Sequence, residues 1–426
     1  MRGRRDVVSS SGALEIQGRV CARAGRRSYR LHFAFYRWRL HLHSCFGLDS
    51  RTPERRKSAK VISILYLSPF GVHAYAVCRT FCLALRGGAT GLNDLRLAFG
   101  PVPSRRLGRS LGINNVPAKT CTYSCIYCQV GKTLIKTTKR QPFYSPKVIF
   151  NEVRRKLDEA NVRDERSDYL TFVPDGEPTL DVNLGAQMSL LRRVGIPVAV
   201  LTNASLVFCN DVREELLSAD LVSLKVDVVS EGLWRRVNKP HHALDLSAIL
   251  NGITRFVKDF KGTVVSETML IDGIDYGNEF EKVAAFLRNL KRLDKAYIAI
   301  PTRPPAEKWV RPAKEETINA AFQAFSNKLG SDKVEYLIGY EGNAFAFTGK
   351  VEEDLLSVTA VHPMRREAVN ELLRKAEADW SVVEKLLRER KLMELNYEGN
   401  TYYMRRLLSR TLTDTHARAQ GSAGNS

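Results

Sequence analysis

The 426-residue sequence lacks any uninterrupted apolar run long enough to cross a membrane. The nearest candidate, residues 61–85, is broken by Pro69, Gly71, His73 and Arg79, so the chain reads as a cytoplasmic protein with no membrane partner. Cysteine is too sparse for a disulfide framework: eight residues in a chain of this length do not make a short, Cys-dense secreted scaffold. Histidine is missing between His73 and His241, and no cysteine follows Cys128 until Cys209. A closed zinc site near Cys121–Cys128 therefore has no visible fourth ligand. No Gly-x-Gly-x-x-Gly follows a strand-like run, which removes local support for a dinucleotide fold. Val130-Gly131-Lys132-Thr133 is not the end of a phosphate loop, because Ile126 stands where that loop needs glycine.

Positive charge is abundant, at a net +20, but it is unevenly spread. Residues 1–100 hold 18 Lys and Arg against 5 Asp and Glu; the other 326 positions carry an excess of only 7. Charge alone thus gives no case for a polyanionic partner over most of the chain. Residues 1–91 are Arg-rich and acid-poor, with no sustained helical or strand period. They read as a basic extension outside the folded unit: an organellar transit peptide, a disordered arm or, the favoured reading, a stretch ahead of a start assigned too early.

Regular pattern begins near Leu95. Strand-like runs at 110–114, 168–173, 197–201, 221–226, 263–270 and 296–300 alternate with amphipathic segments at 146–160, 184–194, 212–218, 247–260 and 278–290. Repeated strand-then-helix units imply a parallel sheet with helices outside. Six units fall short of a full eightfold barrel, so the expected fold is α/β, a partial (β/α)6 barrel over 92–330. A connecting β-hairpin is expected over 331–349, where the sequence alternates. Helical patterns at 352–358, 364–376 and 380–391, then two strands around Glu398-Gly399-Asn400, outline a C-terminal winged helix over 350–408. Residues 409–426 read as a disordered tail.

The chemistry centres on Cys121-Thr-Tyr-Ser-Cys125-Ile-Tyr127-Cys128. Three thiolates on one tight loop suit three corners of an iron–sulfur cube and leave the fourth iron open to a small molecule. A zinc knuckle would want a closed four-ligand set, and three buried structural cysteines fit poorly in a loop of Thr, Ser and Tyr.

This C-x3-C-x-aromatic-C motif resembles that of the radical S-adenosylmethionine (SAM) superfamily, with Tyr127 at the aromatic position. The resemblance implies a [4Fe-4S] cluster on Cys121, Cys125 and Cys128. Its open iron would bind SAM, which one electron cleaves to a 5′-deoxyadenosyl radical that abstracts hydrogen from a substrate. An external donor of ferredoxin or flavodoxin type is then required.

The same resemblance assigns SAM contacts to Tyr127, Gly176, Glu177, Pro178, Asn203 and Asp227, with Asp175-Gly-Glu-Pro178 standing for the family's GGEP motif. Thr202 and Lys225 are adjacent candidates, and Glu267, Met269, Leu270, Ile300 and Pro301 would line the adenine end. Each motif falls just after a successive expected strand, where barrel enzymes keep functional residues.

The stretch 99–114 and Ile300-Pro-Thr-Arg-Pro-Pro-Ala-Glu307 resemble Fe–S oxidoreductases related to wyosine synthesis, which makes tRNA a candidate substrate. A second cluster would need Cys21, Cys45, Cys78 and Cys82, all in the basic extension. Arg105, Arg106 and Arg109 are candidates for an anion or a solvated rim, His241 and His242 for a surface pair, and Cys209 for a structural thiol. Outside this enzyme class stand a redox-sensing winged-helix regulator and a zinc-stabilised module. A regulator's recognition helix should be basic, yet 380–391 mixes Glu384 and Glu389 with its Lys and Arg residues.

Overall fold

The computed structural model describes residues 97–406, so the extension expected over 1–91 and the tail over 409–426 lie outside the described residues. The chain opens with a hairpin of β1 (Ala98–Ser104) and β2 (Gly108–Ile113). The short strands β3 (Thr120–Cys121) and β4 (Ile135–Lys136) pair within the next loop. Five strands follow between helices: β5 (Tyr169–Phe172), β6 (Val198–Thr202), β7 (Leu221–Lys225), β8 (Thr263–Met269) and β9 (Lys295–Ala299). With β10 (Val334–Leu337) they complete an eight-stranded sheet in the order β1-β2-β5-β6-β7-β8-β9-β10. Every pair from β2 to β10 is parallel; β1 alone runs antiparallel, at the edge. The sheet curls into a half-barrel, and all six expected strands are present in it.

The helices on the outer face follow from caps and apolar periodicity. In α1 (Pro146–Asn161), the Ser145 side chain accepts from the Val148 N–H, proline takes the first turn, and Ile149, Val153 and Leu157 face the sheet. Next come α2 (Leu184–Leu191), α3 (Asn210–Leu216) and α4 (Glu231–Val237). In α5 (Leu246–Asp259), capped by Asp245, Ile249, Ile253 and Phe256 are buried. The set ends with α6 (Glu279–Arg288) and α7 (Glu315–Leu329).

Alternation along the strands separates two environments. Val198, Val200, Val222, Leu224, Val264 and Ile298 join the main core beneath the helices. The alternate positions, among them Thr171, Ser223, Lys225 and Glu267, face a lumen instead. Parallel strands are usually apolar on both faces, so a polar inner face marks the lumen as a working surface.

The hairpin expected over 331–349 is not formed. Residues 334–337 are β10, paired parallel to β9, and the alternating stretch after it has no strand. There the apolar residues pack rather than pair: Phe345 is buried in the C-terminal core, and the Ala346 N–H donates to the Pro101 carbonyl at 3.0 Å.

The C-terminal unit runs α8 (Val351–Val361), β11 (Met364–Arg365), α9 (Arg366–Lys375), α10 (Ser381–Arg388), β12 (Leu392–Tyr397) and β13 (Asn400–Arg405). Its sheet is antiparallel, in the order β11-β13-β12. The β12–β13 turn places Glu398 and Gly399 at φ 46° and 70°, the left-handed pair of a two-residue hairpin, which favours glycine. Phe99 and Val102 of β1 share this unit's core with Leu355, Val369 and Tyr403. Between α1 and α8, buried Lys156 donates to Asp354 at 2.6 Å and to Thr348 at 2.5 Å. Among the described residues no helix is long and apolar enough to cross a membrane.

Candidate active site

The long loop after β2 brings the three cysteines to the rim where the parallel strands end. It is clamped from two sides by backbone bonds. Ile126 N–H donates to Val237 at 3.0 Å, Ser124 to Asn238 at 3.1 Å, and His241 N–H to Thr122 at 2.8 Å, tying the loop to the end of α4. Opposite, Lys119 N–H donates to Asp175 at 2.7 Å and Glu177 N–H to Thr120 at 3.1 Å. Gly176 sits where the two segments touch: a Cβ there would lie 1.9 Å from the Thr120 carbonyl oxygen, so only glycine fits.

Cys121, Cys125 and Cys128 line one cavity of about 370 Å³, together with Tyr127, Gly176, Glu177 and Asn203. Burial raises all three thiols, Cys125 to about 12. Side-chain amides approach two of the sulfurs, Asn203 Nδ2 to Cys121 and Asn238 Nδ2 to Cys125, each at 3.5 Å.

Glu177 is buried and spends its carboxylate on internal donors: Thr179 Oγ1 at 2.7 Å, Thr202 Oγ1 at 2.6 Å and the Asn203 N–H at 2.8 Å. It thus locks the ends of β5 and β6 together, although desolvation raises its pKa. Pro178 starts a 3-10 turn and, like Asp227, does not border the cavity. Asp227 accepts from the Tyr127 hydroxyl, from Asn238 Nδ2 at 2.7 Å and from the Met269 N–H at 2.9 Å. It therefore stands behind Tyr127 and spends its carboxylate on these three donors. Asp175 is buried, its Oδ1 has no hydrogen-bond partner, and burial pushes its carboxyl up to about 7.

Further along the lumen, Glu267 lies between two cations. Lys225 Nζ donates to it at 2.5 Å and Arg106 Nη1 also reaches it, while the same Arg106 nitrogen donates to Ser223 at 3.2 Å. Burial alone would raise Glu267, but Lys225 and Arg106 hold it at about 2. Lys225 also lies 4.8 Å from the Tyr127 ring centroid. Arg105 pairs with Glu341 and Arg109 with Glu165, so none of the three arginines is a bare surface cation. His241 and His242 pack ring against ring with centroids 4.2 Å apart, outside the cavity.

The cavity's remaining wall was not expected. Val361 and His362, at the end of α8, border it beside Arg303 and Glu341. Arg303 is buried and reaches Glu341 at 2.6 Å, His362 Nε2 at 2.5 Å and Gln129 Oε1 at 3.3 Å. Burial and then Arg303 lower His362 to about 3; burial would raise Glu341, but Arg303 draws it down to about 2. Arg303 lies inside the quoted 300–307 motif, which was the one available signal for this wall.

A half-barrel with a C-x3-C-x2-C loop at its strand ends defines a class, and the chain belongs to the radical SAM superfamily, whose family model matches residues 115–287. More particularly, it is similar to a UPF0026 protein of Methanocaldococcus jannaschii, 47% identical over 317 residues that cover 74% of this chain and 98% of that protein. A UPF0026 protein of Synechocystis sp. is 36% identical over 48% of this chain and 76% of its own length. Among solved structures, TYW1 with a lysine-pyruvate adduct bound matches at TM-score 0.38 and 16% identity, covering 52% of this chain and 75% of that one.

Superfamily membership implies a [4Fe-4S] cluster and SAM, and the residues fit that pair. Three half-buried thiols share one wall of a cavity, with amide donors beside two of them. Metal-bound sulfurs are tuned by such donors. Among the described residues, no three His, Cys, Asp or Glu side chains converge on a point that one ion could fill.

Proposed function

We propose that the chain is a SAM-cleaving radical enzyme in which Cys121, Cys125 and Cys128 hold the cluster. The observation that carries this reading is the convergence of all three thiols on one cavity at the strand ends, with Glu177 and Asn203 bordering the same space. A four-iron, four-sulfur cluster bound there supplies one-electron reduction of SAM, the superfamily's route to a carbon radical.

The chain's own residues do the positioning. Gly176 lets the Asp175–Pro178 segment touch the cysteine loop. Glu177, held by Thr179 and Thr202, fixes the Asn203 main chain at the rim. Asp227 sets Tyr127 and, through Asn238, the donor to Cys125. Lys225 presents a cation on the cavity wall for an anionic group; burial opposes its charge, Glu267 and Asp227 support it, and the net pKa is raised. It is accordingly a charge anchor and not a free-amine nucleophile.

We read the C-terminal unit as a winged helix from its helix–strand–helix–helix–strand–strand order. In this reading it completes the cavity. Its third helix gives little to a nucleic acid: α10 carries Glu384, and its Lys385 is bound to Glu352 at 2.5 Å.

The test is electron paramagnetic resonance of the anaerobically reconstituted, dithionite-reduced protein with and without SAM. A cluster signal that changes on adding SAM is expected; a signal indifferent to SAM would contradict the reading.

A further inference from the structure

The chain that leaves the third cysteine turns back along the first. Strand β4 runs parallel to β3, with Ile135 opposite Thr120 and Lys136 opposite Cys121. Paired strands lie about 4.8 Å apart, so an exposed backbone layer, β4 with Leu134 before it, lies directly beside Cys121. That layer is apolar and exposed: Leu134 is 57% and Ile135 56% accessible. Trp309, 51% accessible, stands two residues past Glu307, which Lys132 contacts at 3.3 Å. Three of the eight large hydrophobic residues exposed among the described residues thus belong to two neighbouring segments beside the cysteine loop. Lys132, Lys136 and Lys308 are exposed in the same segments, and Glu307 is the one acid in 130–140 and 304–311.

Exposed apolar side chains set among charges that are net positive are typical of a protein-docking surface, and the sign favours an acidic partner. We propose that Leu134, Ile135 and Trp309, with Lys132, Lys136 and Lys308, dock a small acidic one-electron carrier protein, an inference that rests on the cluster assignment above. In the step it serves, the carrier is oxidised by one electron, the iron–sulfur centre at the cysteines is reduced by one, and no covalent bond forms or breaks. Trp309 and the lysines would suit a nucleic acid as well as a protein, but the exposed Leu134 and Ile135 neither contact phosphate nor stack on bases, and they tip the patch toward a protein. Its closeness to Cys121 gives such a protein a reason to bind there.

The test uses the full-length reconstituted protein, a Lys132→Glu/Lys308→Glu variant and an Ile135→Ser variant. Flavodoxin is the acidic carrier. Its binding is measured by calorimetry at low and high salt, and SAM cleavage is driven in parallel by reduced flavodoxin and by dithionite. Charge reversal should weaken flavodoxin binding about tenfold or more at low salt, with the difference shrinking at high salt. Ile135→Ser should weaken it at both. Flavodoxin-driven cleavage should fall in step while dithionite-driven cleavage stays unchanged. Unchanged flavodoxin binding in both variants would overturn the docking surface alone, as would an equal loss with both reductants. Transfer RNA retained by the parent and released by the charge reversal, with flavodoxin binding intact, would reassign the surface. Absence of dithionite-driven cleavage in the parent would overturn the cluster assignment and the docking site with it.

Discussion

Gln129, the residue after Cys128, donates its side-chain amide to the Val361 carbonyl at 2.9 Å, joining the cysteine loop to the last turn of α8. Its amide oxygen accepts from Arg303 at 3.3 Å, and Arg303 continues to Glu341 and His362. Four separated stretches of chain thereby meet on one cavity wall. The C-terminal unit is part of the site and not an appended module. Gln129→Ala removes a donor and an acceptor from this wall. It should cost about 1–3 kcal/mol in urea unfolding, whereas a change within about 0.5 kcal/mol, the level of an ordinary surface substitution, would show that the wall holds without it.

His362 gives the wall a pH dependence. Its folded pKa, about 3, lies below the ordinary 6.5, so between those values the unfolded chain binds the proton and the native protein does not. Stability present above pH 6.5 is therefore lost as pH falls. A His362→Gln variant should lose less stability than the parent between pH 7 and pH 5. Parallel losses in thermal denaturation would mean that His362 titrates normally.

The Lys156–Asp354 pair tests how tightly the two cores are joined. Both side chains are almost wholly buried, so removing Asp354 leaves the Lys156 charge with only the more distant Glu159 carboxylate, at 3.7 Å. Asp354→Ala should cost about 3–5 kcal/mol, and Lys156→Met/Asp354→Leu should recover most of it. Failure of the double variant to recover stability would assign the cost to the Thr348 bonds that Asp354 also accepts.

Gly176→Ala places a methyl group against the Thr120 carbonyl, where 1.9 Å is available. The cysteine loop must move. Iron incorporated on reconstitution should drop sharply with the protein still folded by circular dichroism, and full iron content would show that the loop tolerates displacement.

Six of the eight barrel strands are legible in the sequence as short runs with apolar residues between helical periods, whereas β10 reads as half of a hairpin. Strand β1 is not legible: Gly100, Pro101 and Pro103 punctuate it, and proline is confined in sheets to edges, strand starts and bulges, two of which apply to this irregular edge strand. Helix α7 buries only Ile318, Ala321 and Phe325, too few for a clear period. The cysteine loop was legible because its chemistry is local, three thiols within eight residues. The Gln129–Arg303–Glu341–His362 wall was not, since its members belong to ordinary surface residue types scattered over more than 200 positions. Asp227 shows a further limit: the fold sets its carboxylate behind Tyr127, a partnership across 100 positions that no local pattern signals.

Loading and turnover at the three cysteines test the central claim most directly. The protein and a Cys121→Ala/Cys125→Ala/Cys128→Ala variant are reconstituted anaerobically with iron and sulfide, and 5′-deoxyadenosine released from SAM under dithionite is measured. About four irons per chain with 5′-deoxyadenosine formed by the parent and not by the variant is the predicted result. Bound zinc without cleavage, or equal cleavage by the variant, would contradict it.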